Sequence, residues 1–280
     1  MTTIDSAAPT RSGGSKPGRD DMFLGAVVEK GLGMSAELGP PGHIVVRAPL
    51  GGAVRGADGS VSKALLSVAS DAATGLAVYS SLDWEAMGTT AELRVDLLGE
   101  PSGAATMLEA TGRLLGRHGD FGTAVVDIRD DLGNVLAHSV GIMSIDRVPR
   151  SAWRARHPDP SRLFDPDCVR VVPSGPGESR VRPVGGMLNS MRLLHGGVLM
   201  ALADAAQDAL LAEEPAGRFR RVRLGVDYLR PARADSELVF RSMIRRAGRR
   251  LRTVQTEISE ANGKLVAIAT GTTVALPDPA

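Results

Sequence analysis

The sequence predicts an α+β chain built twice over, each unit a series of strands interrupted by one buried helix. Three observations predict it. The first is an internal repeat: Pro49-Leu50-Gly51-Gly52 answers Pro183-Val184-Gly185-Gly186, residues 65–75 answer 198–208, and Val95-Asp96-Leu97-Leu98 answers Val226-Asp227-Tyr228-Leu229. Residues 133–137 then match 263–267 and Gly141 matches Gly271, so the offset drifts from 134 through 133 and 131 to 130, as small loop indels produce. The second is a wide apolar helical stripe in each repeat. The third is the run of β-branched and apolar segments that follows each helix.

The first twenty residues hold Gly, Ser and Pro with no apolar run and are expected to form a disordered tail. Residues 21–146 form the first unit, whose later strands are expected at 92–98, 105–115, 122–129 and 135–145. Residues 147–166, rich in Pro and Arg, read as a linker that crosses the molecule. Residues 167–280 form the second unit. Its helix is expected within 194–211, where Val198, Leu202, Ala205 and Ala209 recur at helical spacing and Leu199, Ala206 and Leu210 widen the stripe. Strands follow at 221–229, 237–245, 252–259 and 264–276. Asp131-Leu132-Gly133-Asn134 and Ala261-Asn262-Gly263 supply hairpin turns, since Asn and Gly tolerate positive φ.

Asn189, His195-Gly196-Gly197 and Asp204 give the second helix its chemistry. Glycines at a helix start let a ligand approach the backbone, and the unpaired N–H groups of the first turn favour developing negative charge. Asn189 stands six residues before His195, and Asp204 stands nine after it. That ordered set resembles the hotdog-fold acyl-CoA thioesterases, in their PaaI-like branch, whose motif runs Asn, six residues to His-Gly-Gly, then nine to a catalytic Asp. Residues 222–229 followed by Arg230-Pro231 resemble the family's next strand and its closing proline. One hotdog unit in that family takes roughly 130 residues, so this chain resembles a tandem double hotdog. The resemblance implies two antiparallel sheets, each wrapped around a central helix, forming a pseudo-dimer. It also implies hydrolysis of acyl-CoA or acyl-carrier-protein thioesters, with pantetheine between the halves and no metal or redox cofactor.

The repeat places Asp71 opposite Asp204, and Ser62-Lys63-Ala64 opposite His195-Gly196-Gly197. On one helix, Gly197 and Asp204 lie roughly 10 Å apart. A base and an oxyanion donor serving one thioester must each come within about 3–3.5 Å of it or of its attacking water. The helix start of one half is therefore expected to meet the Asp of the other, as the family's antiparallel pairing provides. The expected composite site is Asp71 with Asn189, His195, Gly196 and Gly197, while Asp204 faces Lys63, which pairs with it and silences it. The motif taken alone nominates Asp204, which stays a candidate. Asp71 is expected to activate water or, as the alternative, to attack directly, with the Gly196 amide and Asn189 meeting the thioester oxygen. Each residue has a plainer reading as well: Asp71 and Asp204 as structural acids, His195 as a fixer of the loop, Asn189 as a turn cap and Asp208 as a polar helix position.

Net charge is only +1, yet residues 218–252 carry twelve arginines against Asp227, Asp235 and Glu237. Arg245, Arg246, Arg249 and Arg250 at a hairpin tip either cradle coenzyme A phosphates through bidentate guanidinium contacts or form a solvated face. No aromatics interleave with them, which argues against nucleic acid. One cysteine, Cys168, excludes an internal disulfide and a cysteine metal cluster, and His43, His118, His138 and His157 show no zinc spacing. With no apolar run long enough for a membrane and no signal segment, a soluble cytoplasmic protein is expected, with a homodimer of the tandem chain an allowed assembly. The aromatic fraction of 3% within 43% apolar residues makes the core aliphatic. Two rivals stand beside hydrolysis: a non-catalytic acyl-CoA-binding or regulatory protein, and an enoyl-CoA hydratase, which would need an Asp-x-Asn-x-x-x-His-like run that this chain lacks.

Overall fold

Two helices, α2 and α3, lie back to back inside one twelve-stranded antiparallel sheet. The computed structural model describes residues 26–55, 60–147, 169–213 and 219–276. The first half runs α1 (Val27–Gly31), β1 (Ser35–Leu38), β2 (His43–Pro49), a 3-10 turn at Gly52–Val54 and α2 (Lys63–Ser80). It continues through β3 (Ala86–Met87), β4 (Thr90–Leu97), β5 (Met107–His118), β6 (Phe121–Asp130), β7 (Val135–Ser144) and β8 (Asp146–Arg147). The second half repeats the plan with β9 (Val172–Gly175), β10 (Glu178–Val181), a 3-10 turn at Gly185–Met187, α3 (Gly196–Ala212), β11 (Phe219–Tyr228), β12 (Leu238–Ala247), β13 (Leu251–Glu260) and β14 (Leu265–Ala275). The expected tail and most of the expected linker, with Cys168, lie outside the described residues.

Strand order is β1-β2-β5-β6-β7-β4-β11-β14-β13-β12-β10-β9, the second half mirroring the first about the β4–β11 pair. That seam pairs antiparallel from Arg223 opposite Asp96 to Asp227 opposite Glu92, and Arg223 Nε reinforces it 2.8 Å from Asp96 Oδ1. Each half therefore spends one sheet edge on the other. The repeat extends to irregularities: β4 breaks register between Thr90 and Glu92, and β11 between Arg221 and Arg223. The α+β double architecture expected from the sequence is borne out, and the eight expected strands fall within three residues of those found.

Burial explains why both helices read as apolar. Every residue of α2 from Ala64 to Ser80 is buried, because β2, β4, β5, β6 and β7 wrap it on one side and α3 covers the other. A helix surrounded in this way must be apolar or small all round, and α2 presents Leu65, Val68, Ala69, Ala73 and Leu76 to Ile44, Leu93, Leu108 and Ile128 in one shared core. The helix α3 is buried from Gly197 to Gln207 apart from half-buried Ala205, after which its last turn reaches the surface at Asp208. Where the helices cross, their backbones touch. A Cβ on Gly197 would stand 2.5 Å from the Ser67 carbonyl oxygen and 2.6 Å from Val68 Cα. No helix among the described residues is long and apolar enough to span a membrane.

Candidate active site

The crossing brings the start of each helix to the middle of the other, giving two poles of unlike chemistry. At one pole the first turn of α3 meets Asp71 of α2. The Gly197 amide donates to Asp71 Oδ2 at 2.8 Å, and the Thr90 hydroxyl donates to Asp71 Oδ1 at 2.6 Å. Carboxylate and helix start attract one another, since the unpaired amides carry the positive end of the helix dipole. Gly196 permits the approach: a Cβ there would lie 2.7 Å from Asp71 Oδ2 and 2.8 Å from Thr90 Oγ1. Its own amide has no hydrogen-bond acceptor among the described residues, while its carbonyl accepts from the Tyr228 hydroxyl at 2.8 Å.

His195 caps the same helix and is buried. Its Nδ1 lies 3.1 Å from Asp71 Oδ2, and its Nε2 lies 3.5 Å from Glu29 Oε1. Burial works against a charged ring, but Asp71 and Glu29 on either side outweigh it and hold the imidazole above its ordinary pKa. As the cap of α3, His195 accepts from the Gly197 amide through Nδ1 at 3.1 Å. Glu29 is fixed in turn by the Ala26 amide, 2.9 Å from its Oε2. Tyr228 is pushed well above the usual phenol range by burial and by the Asp71 charge, so it serves as a neutral donor.

Asn189 braces the loop before α3. Its Oδ1 accepts from the Met191 amide at 2.9 Å and the Leu193 amide at 3.0 Å, with Arg192 between them at φ 62°. Two donors facing the oxygen fix the amide's orientation and turn its NH₂ the other way. A cleft of about 310 Å³ opens on this constellation. Asp71, Asn189, His195, Gly196 and Tyr228 line one part of it, an apolar arm with Ala72, Leu76 and Met143 lines another, and residues 229–232 of the second half border the rest.

At the opposite pole Lys63, at the start of α2, lies 2.8 Å from Asp204 Oδ2 and 2.7 Å from Asp208 Oδ2. Arg221, buried, lies 2.7 Å from Asp204 Oδ1 through Nε and 2.8 Å from Asp208 Oδ1 through Nη2. Burial alone would lower the Lys63 pKa, but the two aspartates raise it, so the ammonium stays charged. In the repeat Lys63 corresponds to Gly196, Arg221 to Thr90 and Asp208 to Gly75, so cations stand where the first pole has an open amide and a hydroxyl.

The structure therefore brings Asp71, His195, Gly196 and Gly197 together with Asn189 nearby, and holds Asp204 apart among cations. Gly197 gives its amide to Asp71 and so holds the carboxylate. Arg245, Arg246, Arg249 and Arg250 are not among the residues that line the cleft. Their hairpin sits beyond the Phe219 end of β11, where the Ala275 amide bonds the Arg250 carbonyl and Arg252 stacks 4.0 Å over the Phe219 ring. The cleft lies at the Tyr228 end, about 30 Å along the strand, where the neighbouring Arg230 is among its lining residues. Glu29, Thr90, Tyr228 and Arg221 carry no sequence motif and emerge only from the fold.

Residues 191–267 match the thioesterase superfamily. No curated protein matches the chain. Among solved structures, the tesB protein of Mycobacterium avium subs. paratuberculosis is 14% identical with a TM-score of 0.62, covering 91% of this chain and 100% of its own. The acyl-CoA thioesterase II TesB2 of Mycobacterium marinum is 17% identical with a TM-score of 0.57, covering 90% and 99%. The 12:0-ACP thioesterase of Umbellularia californica is 14% identical with a TM-score of 0.57, covering 83% and 98%. At these identities the likeness is one of fold, and it runs nearly end to end. The superfamily match thus lies over the core of the second half, and the double-hotdog fold runs through almost the whole length of the chain.

Proposed function

We propose that the chain hydrolyses acyl-CoA thioesters at a single composite site across the seam between its halves. The observation that carries this reading is the meeting of Asp71, from the first half, with the open helix start of the second. Asp71 removes a proton from water as the water oxygen adds to the thioester carbon, and charge moves onto the carbonyl oxygen. The Gly196 amide and the Asn189 NH₂ receive that oxyanion, backed by the α3 dipole. As the tetrahedral intermediate collapses the C–S bond breaks, and the proton held on Asp71 passes to the departing coenzyme A sulfur. Tyr228 fixes the Gly196 peptide through its carbonyl, and Thr90 and Gly197 fix the carboxylate. Arg230, which lines the cleft, is the cation we assign to the coenzyme A end of the substrate. The ordered Asn189, His195-Gly196-Gly197 set supports the PaaI-like loop as the working half of the site.

Release of coenzyme A thiol from a panel of acyl-CoA substrates tests the proposal. Asp71→Asn keeps the size of the side chain but cannot take the proton, and is expected to lower kcat by roughly 10²-fold or more. Asp204→Asn is expected to keep most of the turnover of whatever protein folds. The reverse ranking would move the chemistry to the cationic pole. Thiol release unchanged in both variants would place the chemistry on neither aspartate, and a wild-type chain that releases no thiol would be an acyl-CoA-binding protein.

A further inference from the structure

Gly75 sits in the middle of α2, one turn beyond Asp71, where a glycine weakens a helix. It lines the cleft together with Ala72, Leu76, Tyr79 and Met143. A Cβ on Gly75 would stand 3.3 Å from Met143 Cε and 3.5 Å from Tyr79 Cε2, so the missing methyl lets the Met143 terminus rest on the helix backbone. Met143 is buried on β7 opposite Thr90, the residue that holds Asp71.

The other half of the chain shows the same two positions filled differently. Asp208 corresponds to Gly75 and Thr273 to Met143. There Asp208 bonds to Lys63 and Arg221, and the place is occupied by ions instead of an apolar surface. The contrast within one chain marks these positions as what makes the first pole receptive to an apolar group.

Resting on the hydrolase reading above, we infer that Gly75 and Met143 determine acyl specificity: the acyl chain lies along α2 over Gly75, and the Met143 thioether is its displaceable end wall. An unbranched methionine with three rotatable bonds yields to chains of different length. Ala72, Gly75, Leu76, Tyr79 and Met143 include no cation, Asp71 and Glu29 are the acids that line the cleft, and the charge of Asp146 also reaches Tyr79. The class of acyl group is therefore uncharged and apolar, since a terminal carboxylate would be buried without a partner.

The test measures kcat/KM for decanoyl-CoA and butanoyl-CoA in the full-length protein and in Gly75→Ala and Met143→Ala. The added methyl pushes the Met143 terminus into the arm. Losing room for about two methylenes is worth about tenfold, so the decanoyl-to-butanoyl ratio is expected to fall about tenfold in Gly75→Ala. In Met143→Ala, which clears the end wall, the ratio is expected to rise. An unchanged ratio in both variants overturns the inference, and so does succinyl-CoA hydrolysed as well as butanoyl-CoA. If Gly75→Ala does not fold, the Met143→Ala ratio decides alone. Calorimetric binding of decyl and butyl thioethers of coenzyme A, which cannot be hydrolysed, separates the two readings. A wild-type chain that cleaves no acyl-CoA refutes the hydrolase, while the thioether ratio in the variants still decides where the chain lies.

Discussion

At Gly197 one absent methyl group serves both packing and chemistry. Alanine within a helix is ordinarily worth up to about 1 kcal/mol over glycine. Here its Cβ would be driven into the Ser67 carbonyl and Val68 Cα of the other helix. Overpacking of that kind costs about 1–3 kcal/mol, so Gly197→Ala is expected to lower the urea midpoint and to lose turnover as its amide moves off Asp71. A raised midpoint would show that the helices have room to part. His195 offers a test in pH. Burial lowers its pKa, but Asp71 and Glu29 raise it further, and the net shift is upward. A base that holds its proton more tightly when folded contributes stability that is complete below about pH 6.5 and is lost as pH rises through the folded value. The melting-temperature gap between wild type and His195→Gln should therefore be wider at about pH 6 than at about pH 9. A gap that grows with pH would mean that the ring is buried neutral.

Among the elements, the start of α2 shows how a pole is closed. Asp204 and Arg221 are both buried, and Asp208 and Lys63 complete a four-membered ion cluster between the halves. Breaking a buried pair on one side strands the other charge, at about 3–5 kcal/mol. Asp204→Asn is expected near the lower figure, because Arg221 keeps Asp208. Replacing Lys63, Asp204 and Arg221 together by apolar residues of like volume should be neutral or stabilising in the same denaturation experiment, since the cluster pays for its own desolvation. A loss of several kcal/mol in the triple variant would make the cluster a true fastener. This pole also shows what the sequence could reveal. The pairing of Lys63 with Asp204 was legible because the repeat aligns Lys63 with Gly196 and because one helix is too long to serve itself. Arg221 was not, being one arginine among twelve between residues 218 and 252 with no local pattern to set it apart. Its role comes from standing where Thr90 stands, just before a register break in the strand, which only the sheet pairing reveals. Strand existence was legible from apolar alternation and hairpin glycines such as Gly133 and Gly263, both at positive φ. Glu29 was hidden because a five-residue helix leaves almost no periodicity.

Across the whole molecule, the β4–β11 pairing and the shared helix crossing make each half incomplete. Separately expressed halves, cut within residues 148–168, would expose β4 and β11 as bare edges and leave Asp71 and Gly196 on different polypeptides. Each half alone is expected to aggregate or self-associate and to release no thiol, while co-expression restores a stoichiometric and active pair. A first half active on its own would refute the composite site. The same seam has a consequence for heredity. In a dimer of identical subunits one codon writes both poles, so a lysine introduced at one helix start appears at the other and both sites fail together. Here the strands on either side of the seam belong to one gene but to different codons. Lys63, Arg221 and Asp208 could enter one pole while Gly196, Thr90 and Gly75 stayed at the other, and selection acts on each pole separately.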